Sequence, residues 1–440
     1  MNLKRIYIAT LLGLSSIAVN ADTLKQVYET AKYKDPTILK SKAQYDVFSE
    51  QINEADAALL PQVGFGLDAY RVQSSSDARS NTNYGASVDL TQSLYNGSYW
   101  QQADIAEKQA TQYAAIYGYA AQDLLYRTAE AYFNVLRADE AVKSVKANKR
   151  AVERQLEQTK QRYEVGLIAI TDVHEAQAEY DRTVADQITA ENTLANNYYL
   201  LRELTGEDVK QIAYLNTNTF KPKALEGDVK DWRNKALEHN LLLHSDRIAK
   251  ELAKMNIELA EKGHGPIIDF TASLGYDNYD YDDSSSSSYD STSATFGLTL
   301  DVPIYTGGAI NSQVKQAQYT YVMASQDLVK TFRDTDAQIN SGFNNVQASV
   351  SSIKAYEQTV ISSKSALDAA EASFEVGTRT IVDVLDATRN LYESENLLAN
   401  ARYDYIINMI QLKLSAGTLT EQDIFDISAG LTDTPVPRDY

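Results

Sequence analysis

The sequence predicts a mixed α and β membrane protein, with strands that must pair across chains and helices too long for a globule. Three observations predict it. Four segments alternate apolar and small polar residues with period two. Two long stretches free of proline carry heptads. The same landmarks recur in the same order in both halves of the 440-residue chain.

The amino-terminal element is an export signal. Lys4 and Arg5 precede an apolar run from Ile6 to Val19, and Val19-Asn20-Ala21 offers a cleavage site. Residues 1–21 are therefore predicted to be a signal peptide, because the run is shorter than the about 20 residues that span a bilayer. No later stretch has that character, so any membrane crossing falls to strands. The chain has no cysteine, which excludes disulfides, thiolate metal sites and lipidation on Cys. A net charge of −19 argues against nucleic acid, whose phosphates demand clustered Lys and Arg. The 30 tyrosines suit wet interfaces and membrane boundaries, since the ring is apolar and its tip polar.

An internal repeat organises the rest. Arg162–Asp181 (RYEVGLIAITDVHEAQAEYD) aligns with Ser373–Tyr392 (SFEVGTRTIVDVLDATRNLY), Leu90–Gly97 with Leu300–Gly307, and Pro61 with Pro266. The spacing gives a duplicated unit of about 205–211 residues, too long for a solenoid repeat. It divides the chain into 22–225 and 226–430, with a C-terminal tail at 431–440.

Each half begins with a polar helical stretch and continues with two strands, at 61–72 and 84–95, then at 266–278 and 292–304. Val63, Phe65, Leu67 and Ala69 share one face of the first strand, opposite Gln62, Gly64, Gly66 and Asp68. Phe296, Leu298 and Leu300 do the same in the fourth, opposite Thr295, Gly297 and Thr299. Met once, such a pattern reads as a half-buried soluble sheet. Met four times in an exported chain, it reads as a barrel wall, apolar outside and wet inside. The connections Arg71–Asn83 and Asp277–Ser291 read as polar loops. Four strands cannot close a barrel, which takes about eight, and an open edge in lipid leaves backbone groups unpaired. The chain must oligomerise, and its own pattern leaves dimer and trimer open.

Long helices follow at 98–164 and 170–205, then at 308–375 and 380–415. The first would be about 100 Å long at 1.5 Å per residue. Ala131, Val135, Ala138, Val142, Val145, Lys149, Val152, Leu156, Thr159 and Tyr163 step by four and three, a coiled-coil seam. Ile353, Tyr356, Val360, Ser363, Leu367, Ala370 and Phe374 repeat it. Both seams stop at Val-Gly, at Gly166 and Gly377, where glycine closes a helix.

The stretches VGTRTIVDVLDATRNLY (Val376–Tyr392), VGLIAITDV (Val165–Val173), PIYTGGAINSQVKQAQY (Pro303–Tyr319) and LANARYDYIIN resemble the TolC family of outer-membrane factors. The resemblance covers essentially the whole chain after the signal. It implies a homotrimer with a 12-stranded β-barrel, four strands per protomer, in the outer membrane of a Gram-negative bacterium. That barrel would continue into a long α-helical barrel in the periplasm, belted by short elements around Gly206–Asp231 and the C-terminal region. The implied function is passive exit of drugs, bile salts, other small molecules and secreted proteins. An inner-membrane RND, ABC or MFS pump would deliver them through a periplasmic adaptor. No cofactor and no enzymatic activity are implied.

The resemblance also assigns a gate at the periplasmic tip. Gln155, Thr171, Asp172, Glu371 and Arg379 match latch positions. Phe374 departs, because the family's best-known member has tyrosine there, and without a hydroxyl Phe374 cannot bond Asp172. Arg379 and Asp172 on neighbouring coils would make a charge-assisted pair. Asp383 and Asp386 match electronegative entrance rings. Three residues apart, they share a helix face. Around a threefold axis each becomes a ring of carboxylates that favours cations and is open to cation block. No structural metal is expected. The four histidines lack ligand spacing, and no Walker sequence or nucleophile elbow occurs. The competing readings are a factor dedicated to one export system and a non-transporting coiled-coil structural or adhesin protein.

Overall fold

The structure is a computed structural model that describes residues 21–73, 75, 80–209, 211–281 and 287–432. The signal peptide expected at 1–21 lies outside the described residues except for Ala21, as do residues 433–440 of the expected tail.

Helices α1 (Leu24–Lys34) and α2 (Pro36–Ala57) lead into strands β1 (Gln62–Val72) and β2 (Asn81–Asn96), then helices α3 (Gly97–Glu164) and α4 (Ile170–Thr205). After the short strand β3 (Tyr214–Leu215) come α5 (Val229–His239), α6 (Leu241–Lys262), β4 (Ile267–Tyr281), β5 (Tyr289–Asp301), α7 (Ala309–Glu375) and α8 (Ile381–Ser415). Helix α9 (Glu421–Ala429) and strand β6 (Leu431–Thr432) follow. Helices α1 and α5 both have 11 residues, and α2 and α6 both have 22.

The main sheet has the order β1-β2-β4-β5 with antiparallel neighbours, so β1 and β5 are its edges. Its strands extend into the segments read as loops. Asn81 pairs with Tyr281, and Tyr279 with Tyr289. The polar composition misled because ladder hydrogen bonds need no apolar side chain, and the stacked rings of Tyr279 and Tyr289, 5.1 Å apart, carry the pairing onward. Strand β5 ends at Asp301 rather than 304, since Pro303 has no N–H to donate. The apolar row of the sheet stands clear of the rest of the chain, with Phe65 70% and Phe296 75% exposed.

Below the sheet, α3 packs along α2, α4, α6 and α8. The main core sits midway down, where Tyr132, Phe133 and Leu136 of α3 are fully buried with Leu24, Ile339, Ile353 and Leu412. The Tyr132 hydroxyl donates to the Ala213 carbonyl at 2.8 Å and so fixes the segment entering β3. Strand β3 pairs with β6, which places Leu431 and Thr432 in a small sheet rather than in the expected tail. Tyr28 of α1 and Lys32 donate to Glu421 at the start of α9. Among the described residues no helix is long and apolar enough to cross a membrane.

The coiled-coil seam of α3 is buried at Val135, Ala138, Val142, Val152 and Leu156. Its polar interruptions are satisfied. Lys149 Nζ donates to Gln187 Oε1 of α4 at 3.1 Å, and the Thr159 hydroxyl donates to the Gln155 carbonyl at 2.7 Å. Tyr163 is exposed, so the seam stops one step before the helix end.

Candidate functional site at the helical tip

Both long hairpins turn back in the same way. Gly166 and Gly377 each take φ of 76°, a left-handed value that costs residues with a Cβ. Leu167 N–H donates to the Arg162 carbonyl at 2.9 Å, and Thr378 N–H to the Ser373 carbonyl at 2.9 Å. These bonds satisfy carbonyls that the helix ends leave open.

A small core of its own holds the two hairpins together here. Val152 and Leu156 of α3 meet Ala176 of α4, Ala370 of α7, and Ile381, Val384 and Leu385 of α8. This cluster is separate from the main core. A segment with so few buried apolar contacts opens more cheaply than the whole fold.

Gln155 is buried and its amide donates to the Thr388 hydroxyl at 3.0 Å, tying α3 to α8. Glu371 lines, with Gln155, Arg162 and Phe374, a cleft of about 510 Å³ between α3 and the α7–α8 turn. Phe374 sits under Arg162. The guanidinium lies 4.5 Å from the ring centroid, and Nη1 donates to the Phe374 carbonyl at 3.4 Å.

Thr171 is exposed and Asp172 half-buried in the first turn of α4. Asp172 occupies the place in α4 that Asp383 occupies in α8, but the caps differ. At α8, the Thr380 N–H and hydroxyl donate to the Asp383 carboxylate at 2.9 and 2.8 Å, and Asp383 N–H returns a bond to the Thr380 hydroxyl. This is a capping box. At α4 the cap is Ala169, which makes no side-chain bond. Among the described residues the Asp172 carboxylate makes no hydrogen bond or ion pair within the chain. Arg379 pairs with Asp383 at 3.5 Å, so the expected Arg379–Asp172 contact does not form inside one protomer. Hydrogen bonds from the Thr380 main chain and hydroxyl, helped by Arg379, hold the Asp383 carboxyl below the usual carboxylate value.

Asp386 accepts from Arg389 Nη2 at 2.8 Å, and Arg389 Nε donates to Glu179 Oε1 of α4 at 3.1 Å. Asp383 thus has a cation from the turn before α8, and Asp386 has one from α8 itself. Arg162, Glu179, Thr380 and Arg389 were not singled out in the sequence. The i, i+3 spacing of Asp386 and Arg389 was legible there. Glu179 becomes a partner only once α4 and α8 are packed together.

Residues 27–207 and 232–418 match the family described as Outer membrane efflux protein. The outer membrane protein TolC of Vibrio cholerae is 44% identical over 97% of this chain and 98% of its own length. TolC of Escherichia coli is 43% identical over 96% of this chain and 87% of its own. Among solved structures, the CmeC outer membrane channel of Campylobacter jejuni aligns over 98% of both chains with a TM-score of 0.80 at 16% identity. By its sequence over both stretches and by its fold, the chain belongs to the outer membrane efflux protein family.

Proposed function

We propose that three copies of this outer-membrane efflux channel share one tunnel, each supplying four strands to a twelve-stranded barrel and its helices to a periplasmic conduit. The observation that carries this reading is the sheet. Its edges β1 and β5 have no further strand among the described residues, and its apolar row is exposed. In lipid both conditions demand closure by other chains. The two repeats, 22–225 and 226–430, are supported by the paired lengths of α1 with α5 and α2 with α6 and by two separate matches to one family. They make each protomer two similar staves of the wall.

At the tip, Asp172 has the free carboxylate that a neighbouring Arg379 needs. A latch between protomers, with Gln155, Thr171, Glu371 and Phe374 beside it, would keep the entrance narrow. A periplasmic adaptor with an RND, ABC or MFS pump would release it. Drugs, bile salts and secreted proteins would then leave passively. The chain is cysteine-free, so cysteines placed along β1 and β5 give a clean test. Disulfide products three chains in size are expected, together with conductance in planar bilayers. Products no larger than two chains, or a silent bilayer, would overturn the proposal.

A further inference from the structure

We infer that Arg389 sets the ion preference of the tunnel entrance, by masking Asp386 while Glu179 holds the guanidinium in place. The inference rests on the reading that Asp383 and Asp386 face the tunnel.

The geometry is that of an anchored cation. The guanidinium offers Nε to Glu179 and Nη2 to Asp386, a use of its fixed fork that a lysine cannot reproduce. Exposure falls along the triad, with the side chains of Asp386 52%, Arg389 36% and Glu179 13% exposed. A lone exposed pair of this kind is weak, because two long side chains must be ordered in water. Here Glu179 is shielded and does the ordering, so the positive charge stays beside Asp386. A bond from charge to charge is also shorter and stronger than a neutral one.

Asp383 differs. Its cation is Arg379, 3.5 Å away and more exposed than its partner, with no second carboxylate to anchor it among the described residues. The carboxylate of Asp383 is therefore screened only loosely, while that of Asp386 is neutralised at contact distance. The two rings are unequal. Asp383 attracts cations at rest, while Asp386 and Arg389 cancel each other and as a pair contribute little. No catalytic step is involved.

The test uses the full-length protein in planar bilayers, with lanthanum ion as the blocking probe and potassium chloride gradients for selectivity. Arg389→Met is expected to raise cation selectivity and to lower the lanthanum concentration for half block by about threefold or more. Asp386→Asn alone is expected to shift both the opposite way, because it leaves the Arg389 charge without Asp386, and the Asp386→Asn/Arg389→Met double variant to return close to wild type. Arg389→Lys, which keeps the charge without the fork, is expected to fall between. Unchanged selectivity and block in Arg389→Met would overturn the inference. So would unchanged selectivity and block in Asp386→Asn alone, a result that does not depend on how well Arg389→Met folds. If Asp383→Asn leaves block intact as well, the entrance reading itself fails. If Asp383→Asn abolishes block while Arg389→Met is silent, only the role of Arg389 fails.

Discussion

Arg162 of α3 lays its guanidinium 4.5 Å from the centre of the Phe374 ring at the end of α7 and donates to the carbonyl of the same residue. The contact joins the two hairpins at their tips. It needs no hydroxyl on the ring. Phe374 lacks the hydroxyl of a tyrosine, but it has the ring face that attracts a cation.

Arg162→Gln should therefore loosen the tip. It keeps a donor for the Phe374 carbonyl and removes the charge over the ring, a loss of about 0.5–1 kcal/mol, or roughly a two- to fivefold rise in opening. Single-channel recordings should show higher open probability, and amides near Ile381 should exchange faster. Phe374→Tyr keeps the ring face and should not open the channel further. Equal open probability in Arg162→Gln and wild type would remove the contact from the gate.

Gly166 and Gly377 make a second test, because both turns depend on positive φ. No atom lies within 4 Å of a Cβ built at either position, so the cost to alanine is conformational, about 1–2 kcal/mol each. Gly377→Ala and Gly166→Ala should speed amide exchange in the adjoining helix turns and leave the main core around Tyr132 protected. Loss of protection throughout the chain would mean that the tip is not an independent opening unit.

What the sequence revealed and what it hid follow from range. Period-two alternation at Phe65 and Phe296 and the heptads from Val135 to Leu156 are local signals set by burial on one face, and they were legible. The glycines at 166 and 377 were legible because only glycine takes that conformation cheaply. The extensions of β2, β4 and β5 were hidden, since the backbone of Asn81 and Tyr281 pairs whatever the side chains are. Leu431 and Thr432 looked like a tail because their partner, β3, is far away in sequence. At the tip, candidate residues could be matched, but their partners could not. Gln155 bonds Thr388 on another helix, Arg379 turns to Asp383, and Arg389 finds Glu179 only across two packed helices.

The membrane reading of the sheet is open to direct test. Phe296 and Thr295 are neighbours in β5 and point to opposite faces. On a lipid-facing wall, Phe296→Arg should cost about 2–4 kcal/mol if it lies near the bilayer midplane, and the proposed trimer should dissociate at lower temperature on semi-native gels. Thr295→Arg, on the tunnel side, should assemble and change conductance instead. Equal assembly of the two variants would argue against a greasy outer face.

If Asp383 faces the entrance as proposed, it ties the cap of α8 to the entrance charge, and the coupling should be visible in pH dependence. Its carboxyl is held below the usual value of 3.8 by the Thr380 hydrogen bonds first and Arg379 last. A depressed folded-state value means that the ionised form is favoured by folding. The associated stabilisation is present above the unfolded value of about 3.9. It is lost as pH falls through the lower folded value. On acidification, cation block at Asp383 should therefore survive below the pH at which an ordinary aspartate is half protonated. Thr380→Val removes the hydroxyl of the capping box while keeping its shape. The main-chain bond remains, so the midpoint for loss of block should move up only part of the way to the ordinary value. The first turn of α8 should lose amide protection at the same time. An unchanged midpoint in Thr380→Val would show that the cap does not set the charge of the entrance.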